Sequence, residues 1–136
     1  MSGMYQSWGR YPAVDVLSQE VENLYNIDNI SFNQKGGKLL LPFGNGRSYG
    51  DSCLNIHEKL LDTRGLDRFI SFDKDAGILR CESGVLLSKV IELISPHGWF
   101  LKVTPGTRFV TIGGAIANDV HGKNHHRAGT FGCHVN

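Results

Sequence analysis

A short apolar run, Lys38-Leu39-Leu40-Leu41, leads directly into Pro42-Phe43-Gly44-Asn45-Gly46-Arg47-Ser48-Tyr49-Gly50-Asp51. This junction constrains the chain more than any other feature. The apolar run reads as a buried strand, and the glycine-rich segment after it suits neither helix nor strand. Glycines let the backbone turn with positive φ and let amide groups come close to a ligand. Successive inward amides form a nest for anions such as a diphosphate. Ser48 adds a hydroxyl donor and Arg47 a positive charge. The loop lacks the Gly-Lys-Ser/Thr ending of a P-loop. It also does not open a long helix, as a dinucleotide fingerprint would. On loop chemistry alone, a plain turn and an anion site both stay open.

A second glycine-rich stretch lies towards the far end. It contains Pro105-Gly106-Thr107-Arg108 and then Thr111-Ile112-Gly113-Gly114-Ala115-Ile116-Ala117. The small residues would let a flat ring, or a neighbouring backbone, lie against the segment. His121 and Lys123 come after it and could place cationic groups beside such a ring. Tight packing under a polar loop is the competing reading. Glycine overall numbers 17 of 136 residues, about 12% against about 7% in ordinary usage. That excess sits where these two loops need it.

The remaining pattern predicts a mixed α+β chain. Val14, Leu17, Val21, Leu24 and Tyr25 keep the helical period, so a helix is expected over 13–27, with Pro12 in its first turn. Residues 59–62 read as a short strand. Residues 68–72 and 78–82 read as a hairpin around Asp73-Lys74-Asp75-Ala76-Gly77. Leu86, Val90, Leu93 and Ile94 mark a helix over 85–95 that should stop at Ser95-Pro96. Residues 99–103 are expected to be extended, and a short helix is expected at 112–118.

Composition narrows the function classes. Lys and Arg total 14 against 13 Asp and Glu, and no basic stripe is visible, so nucleic acid is not an expected partner. No apolar run reaches the roughly 18–20 residues of a membrane span. The first ten residues lack an apolar signal core, and a cytoplasmic location is expected. Cys53, Cys81 and Cys133 form no metal or disulfide spacing and read as reduced thiols. His121 and His125 are spaced like two zinc ligands on a helix, but Gly122 intervenes and no third ligand stands at a suitable spacing. No metal is expected.

The two glycine segments together resemble one family. GNGRSYGD at 44–51 is similar to the pyrophosphate loop of FAD-linked oxidases of the vanillyl-alcohol-oxidase type. PGTRFVTIGGAIANDVHGKNHHRAGTFGCHV at 105–135 resembles the second FAD-contacting segment of that family, and Ser7-Trp8-Gly9-Arg10 resembles a member's N-terminal segment. The resemblance implies the N-terminal part of an FAD-binding domain over 1–136: a small sheet with helices, then the start of an antiparallel sheet. It implies that Gly44, Asn45, Gly46, Arg47, Ser48 and Tyr49 wrap the diphosphate. It places Gly106 and Thr107 near the flavin or its phosphates, and Thr111, Gly113, Gly114 and Ala117 along the cofactor channel. His121 would sit by the isoalloxazine ring, with Lys123 and Tyr49 near the substrate, so these three are the candidate catalytic residues. Some members tether FAD through a histidine in the first loop. Arg47 stands there in this chain, so FAD is expected to be non-covalent.

The implied reaction is oxidation of a secondary alcohol on a sugar-like or lipid-linked substrate, with hydride passing to flavin N5. Family members are much longer, so the substrate domain and the catalytic base are expected to lie outside this sequence. Alone, the chain is expected to be inactive. Its uncovered strand edges would favour self-association. A non-catalytic anion- or nucleotide-binding module, or a purely structural fragment, remains the alternative.

Overall fold

The structure is a computed structural model. It describes residues 5–13, 39–55 and 59–136, and the backbone of 17–20. The chain divides into two compact units, Met1–Leu66 and Asp67–Asn136.

The first unit is built on a three-stranded parallel sheet. Its strands are β1 (Leu17–Glu20), β2 (Leu40–Phe43) and β3 (Lys59–Asp62), in the order β1-β3-β2. The register sets Leu17 and Leu40 beside Lys59, and Glu20 and Phe43 beside Asp62. The central strand explains its sequence. Successive side chains point to opposite faces, and Leu60 and Leu61 are both buried. Leu60 packs with Tyr5, Phe43 and Leu54, while Leu61 packs with Leu66 and Leu40. Pro42 is tolerated because, among the described residues, β2 is an edge strand and one side needs no ladder donor. The Asn55 amide donates to the carbonyls of Leu39 and Lys59, both at 3.0 Å, and ties the starts of β2 and β3 together.

The expected strand at 59–62 is present, and the one expected at 38–41 forms two residues further on, as Leu40–Phe43; Leu39 precedes it and is exposed, and Lys38 lies outside the described residues. The expected helix over 13–27 is not what forms at its centre, because Leu17–Glu20 is a strand. Pairing with β3 satisfies its backbone groups and overrides a helical spacing of apolar residues. Pro12 lies in a bend before that strand rather than in a helix. The rest of that expected helix, 14–16 and 21–27, lies outside the described residues.

The second unit begins with the hairpin β4 (Phe69–Asp73) and β5 (Ile78–Cys81), antiparallel as expected. Asp73 accepts hydrogen bonds from the amides of Asp75 and Ala76, at 3.0 and 2.9 Å, and shapes the turn. Gly77 closes it with φ +67°, directly beneath the Trp99 ring. The indole of Trp99 donates to the Lys74 carbonyl at 2.7 Å. Residues 99–103, expected to be extended, therefore brace the turn but form no ladder of their own.

Helix α1 (Leu87–Ile94) buries Leu87, Val90 and Ile94 along one face. Val90 and Ile94 meet Phe72, Leu79 and Cys81 of the hairpin, and Leu87 meets Val103, Ala115 and Phe131. The helix continues as one 3-10 turn (Ser95–His97), in which Pro96 loses nothing by lacking an N–H. Helix α2 (Ile112–Ala117) matches the expected short helix, and a single turn, α3 (His125–Ala128), comes after it. Among the described residues, no helix is long and apolar enough to cross a membrane.

Candidate functional site

In the first unit the glycine loop leaves the carboxyl end of β2, beside the carboxyl end of β3. Ligands of open parallel sheets bind at that edge. Gly46 takes φ +59°, a conformation that favours glycine. Residues 5–8 brace the loop from outside. The Trp8 amide donates to the Ser48 carbonyl at 3.1 Å. The Tyr5 ring meets Phe43 edge-on at 5.0 Å, and its hydroxyl donates to Asp62 at 3.0 Å. Asp62 also receives the Arg64 guanidinium. Burial opposes the Asp62 charge, but the hydrogen bonds from Arg64 and Tyr5 outweigh it and hold the carboxyl below its usual range.

The Arg47 guanidinium carbon lies 5.3 Å from the centre of the Trp8 ring. Its Nε is buried without a hydrogen-bond partner. Among the described residues Arg47 has no carboxylate partner, unlike Arg64 and Arg68. The amides of Gly46, Arg47 and Ser48 also make no hydrogen bond to the described residues. A glycine turn beside a partly desolvated cation that has no carboxylate partner among the described residues suits an anion such as a diphosphate. Tyr49 projects into solvent at 83% exposure, with its carbonyl held by Ser52 at 3.0 Å.

In the second unit an open depression of about 820 Å³ gathers Gly106, His121 and Lys123 with Phe100, Lys102 and Thr104. Gly122 is required where the chain turns past Thr104, because a Cβ there would stand 2.8 Å from the Thr104 carbonyl. His121 and His125 meet as rings 5.3 Å apart. His125 Nδ1 lies 3.1 Å from the Gly122 carbonyl. Sequence reading paired His125 with His121 only as a zinc-like spacing and did not single out Lys102. The Asn124 side chain donates to the Lys102 carbonyl at 3.1 Å and ties that residue to the segment. Among the described residues no cluster of three metal-ligating side chains forms.

Of the other expected cofactor residues, Thr111, Gly113 and Gly114 also make close local contacts. Thr111 is 2% exposed, and its hydroxyl caps α2 by accepting from the Gly114 amide at 3.1 Å. Gly113 donates its amide to the Ser83 carbonyl at 2.7 Å, and a Cβ on it would lie 3.1 Å from Ser83 Cβ. Gly114 stands close over Thr111 in the same way. Thr107 accepts from the Phe109 amide at 3.2 Å, and Ala117 is exposed at the end of α2. None of these five lines the depression. Sequence reading also missed the buried Glu82. Arg68 holds it through its backbone amide at 2.9 Å and its guanidinium at 2.6 Å.

The first unit is a parallel sheet with a glycine loop at its carboxyl edge, an arrangement common to nucleotide-binding proteins. The chain belongs to the FAD binding domain family, which residues 26–136 match, and FAD is its cofactor. It is 44% identical over 102 residues to the decaprenylphosphoryl-beta-D-ribose oxidase of Mycolicibacterium smegmatis, covering 75% of this chain and 22% of that one. It is 29% identical over 68 residues to the D-lactate dehydrogenase of Anaerostipes hadrus, covering 50% of this chain and 14% of that one. Among solved structures, the cholesterol oxidase of B. sterolicum shares the fold with a TM-score of 0.73 at 16% identity, over 87% of this chain and 24% of that one. An alkyldihydroxyacetonephosphate synthase does so with a TM-score of 0.68 at 14% identity, over 83% of this chain and 24% of that one. The chain thus spans less than a quarter of the length of these relatives.

Proposed function

We propose that the chain is the FAD-binding part of a flavin-dependent oxidoreductase that oxidises a secondary alcohol on a sugar-like or lipid-linked substrate in the cytoplasm. The observation that carries the reading is Arg47, a cation with a buried, unpartnered Nε and no carboxylate partner among the described residues, set in the glycine loop that leaves the carboxyl end of β2. In this reading residues 44–49 hold the diphosphate. The amides of Gly46, Arg47 and Ser48 offer donors, the Ser48 hydroxyl adds another, and Arg47 offsets charge. With Arg47 in the first loop in place of a tethering histidine, FAD is held non-covalently.

The bound flavin supplies a hydride acceptor at N5. Lys123 presents a cationic group that favours negative charge developing beside it, His121 adds an imidazole beside the ring, and Tyr49 reaches towards the substrate. Gly106 and Thr107 lie near the flavin or its phosphates. Thr111, Gly113, Gly114 and Ala117 line the cofactor channel, with Thr111 also capping α2. The chemical parallel is the relative named for decaprenylphosphoryl ribose, at 44% identity.

The test is calorimetric titration of the flavin-stripped chain with FAD. One saturable site per chain is expected, abolished in Gly46→Val and weakened about tenfold in Arg47→Met, the loss of one charged contact to the diphosphate. A chain that melts cooperatively yet shows no saturable FAD binding would sink the assignment of the loop. In a longer chain that carries the substrate domain, anaerobic bleaching of the flavin by a sugar with a free secondary hydroxyl reads out the oxidation step.

A further inference from the structure

Residues 5–8 precede the segment that matches the FAD binding domain family, which starts at residue 26. They nevertheless form one wall of the glycine loop. The Gln6 carbonyl packs against Gly46, Ser7 is buried, and the Trp8 amide holds the Ser48 carbonyl at 3.1 Å. Beyond these contacts, the Trp8 ring lies against the Arg47 guanidinium at 5.3 Å while remaining 54% exposed. So exposed a tryptophan contributes little to the core of the unit. Its defined neighbour is a cation with no carboxylate among the described residues and with a buried, unpartnered Nε.

We propose that Trp8 is a positioning residue for cofactor binding: its ring holds the Arg47 guanidinium at the loop, so that an arriving diphosphate meets a charge already in place. The proposal rests on the reading that residues 44–49 bind the FAD diphosphate. The physical reason is conformational. An arginine side chain has several rotatable bonds, and ordering it at the moment of binding subtracts from affinity. An aromatic face that attracts the guanidinium restricts it beforehand. Preorganisation of this kind strengthens binding without Trp8 touching the ligand.

The experiment is FAD titration by calorimetry of the chain, Trp8→Ala, Trp8→Phe, Arg47→Met and the double variant Trp8→Ala/Arg47→Met, each with a thermal melt. Trp8→Ala should weaken FAD binding about three- to tenfold, the size expected for loss of a partly exposed cation–π contact. Trp8→Phe should recover most of that loss because it keeps an aromatic face. In the Arg47→Met background, Trp8→Ala should cost nothing further. Unchanged affinity in Trp8→Ala overturns the proposal, as does an equal penalty in both backgrounds, which would mark Trp8 as merely structural. If Trp8→Ala fails to melt cooperatively, Trp8→Leu replaces it under the same two criteria, since leucine keeps apolar bulk without the aromatic face. An unmodified chain that binds no FAD overturns the loop reading and this proposal together. That outcome is seen before any Trp8 variant is made, so the two failures are distinguishable.

Discussion

The carbonyl oxygen of Gln6 occupies the space into which a side chain on Gly46 would grow. Gly46 also holds φ +59°, so two independent constraints exclude any other residue there. The first is backbone strain, and the second is collision with main chain that cannot rotate away. Gly46→Ala should therefore destabilise the chain by about 1–3 kcal/mol, and Gly46→Val by more. Denaturant melts measure this. Gly50→Ala is the control. Gly50 shares the φ of +59°, but nothing stands within 4 Å of its missing Cβ, so it should cost less.

Thr111 ties a cofactor-segment residue to a structural task. Its hydroxyl is the N-cap of α2 and is buried there. Thr111→Ala should cost about 0.5–2 kcal/mol, and Thr111→Ser should restore most of it, because serine keeps the capping oxygen. Thermal melts of the three proteins check this. Unchanged stability in Thr111→Ala would show that the cap contributes nothing.

Acid should destabilise both units through one carboxylate each. The Arg68 guanidinium and amide hold Glu82 below its usual value near 4.5, against the opposing effect of burial. Hydrogen bonds from Arg64 and Tyr5 outweigh burial at Asp62, whose usual value is near 3.8. A carboxylate with a depressed folded-state pKa stabilises the fold above its unfolded value. That stabilisation is lost as pH falls through the folded value. Stability should be flat with respect to these groups above about pH 5 and fall steadily below about pH 4.5. Glu82→Gln should lower stability at pH 7 and flatten part of the acid limb. Urea melts across pH 3–7 measure both.

The three cysteines should react in a fixed order. A hydrogen bond with the Thr130 hydroxyl lowers the Cys133 thiol pKa, and this residue is exposed. Burial raises the pKa of both Cys53 and Cys81. The thiolate is the reactive form, so Cys133 should be alkylated first and at lower pH. Mass mapping after brief iodoacetamide treatment at pH 7 and 8.5 reads the order. Thr130→Val should slow Cys133 and leave the other two unchanged.

Local chemistry was legible without the tertiary structure. The hairpin is written in Asp73, whose carboxylate builds the turn, and in Gly77, which closes it. The face of α1 is written in Val90 and Ile94, and the start of α2 in Thr111. The glycine loop and its place after a strand could also be read, because turn chemistry acts within a few residues. The features beyond reach depend on partners distant in the chain. Leu17–Glu20 carries a helical spacing and becomes a strand because Lys59–Asp62 offers a parallel edge. The stacking of Trp8 on Arg47, the pairing of Glu82 with Arg68, and the meeting of Lys102 and His125 at one depression are likewise long-range. Periodicity and turn propensity report energies between near neighbours. Strand pairing, buried ion pairs and the gathering of cations arise only when the folded chain brings distant residues together, and those decide what surrounds each candidate site residue.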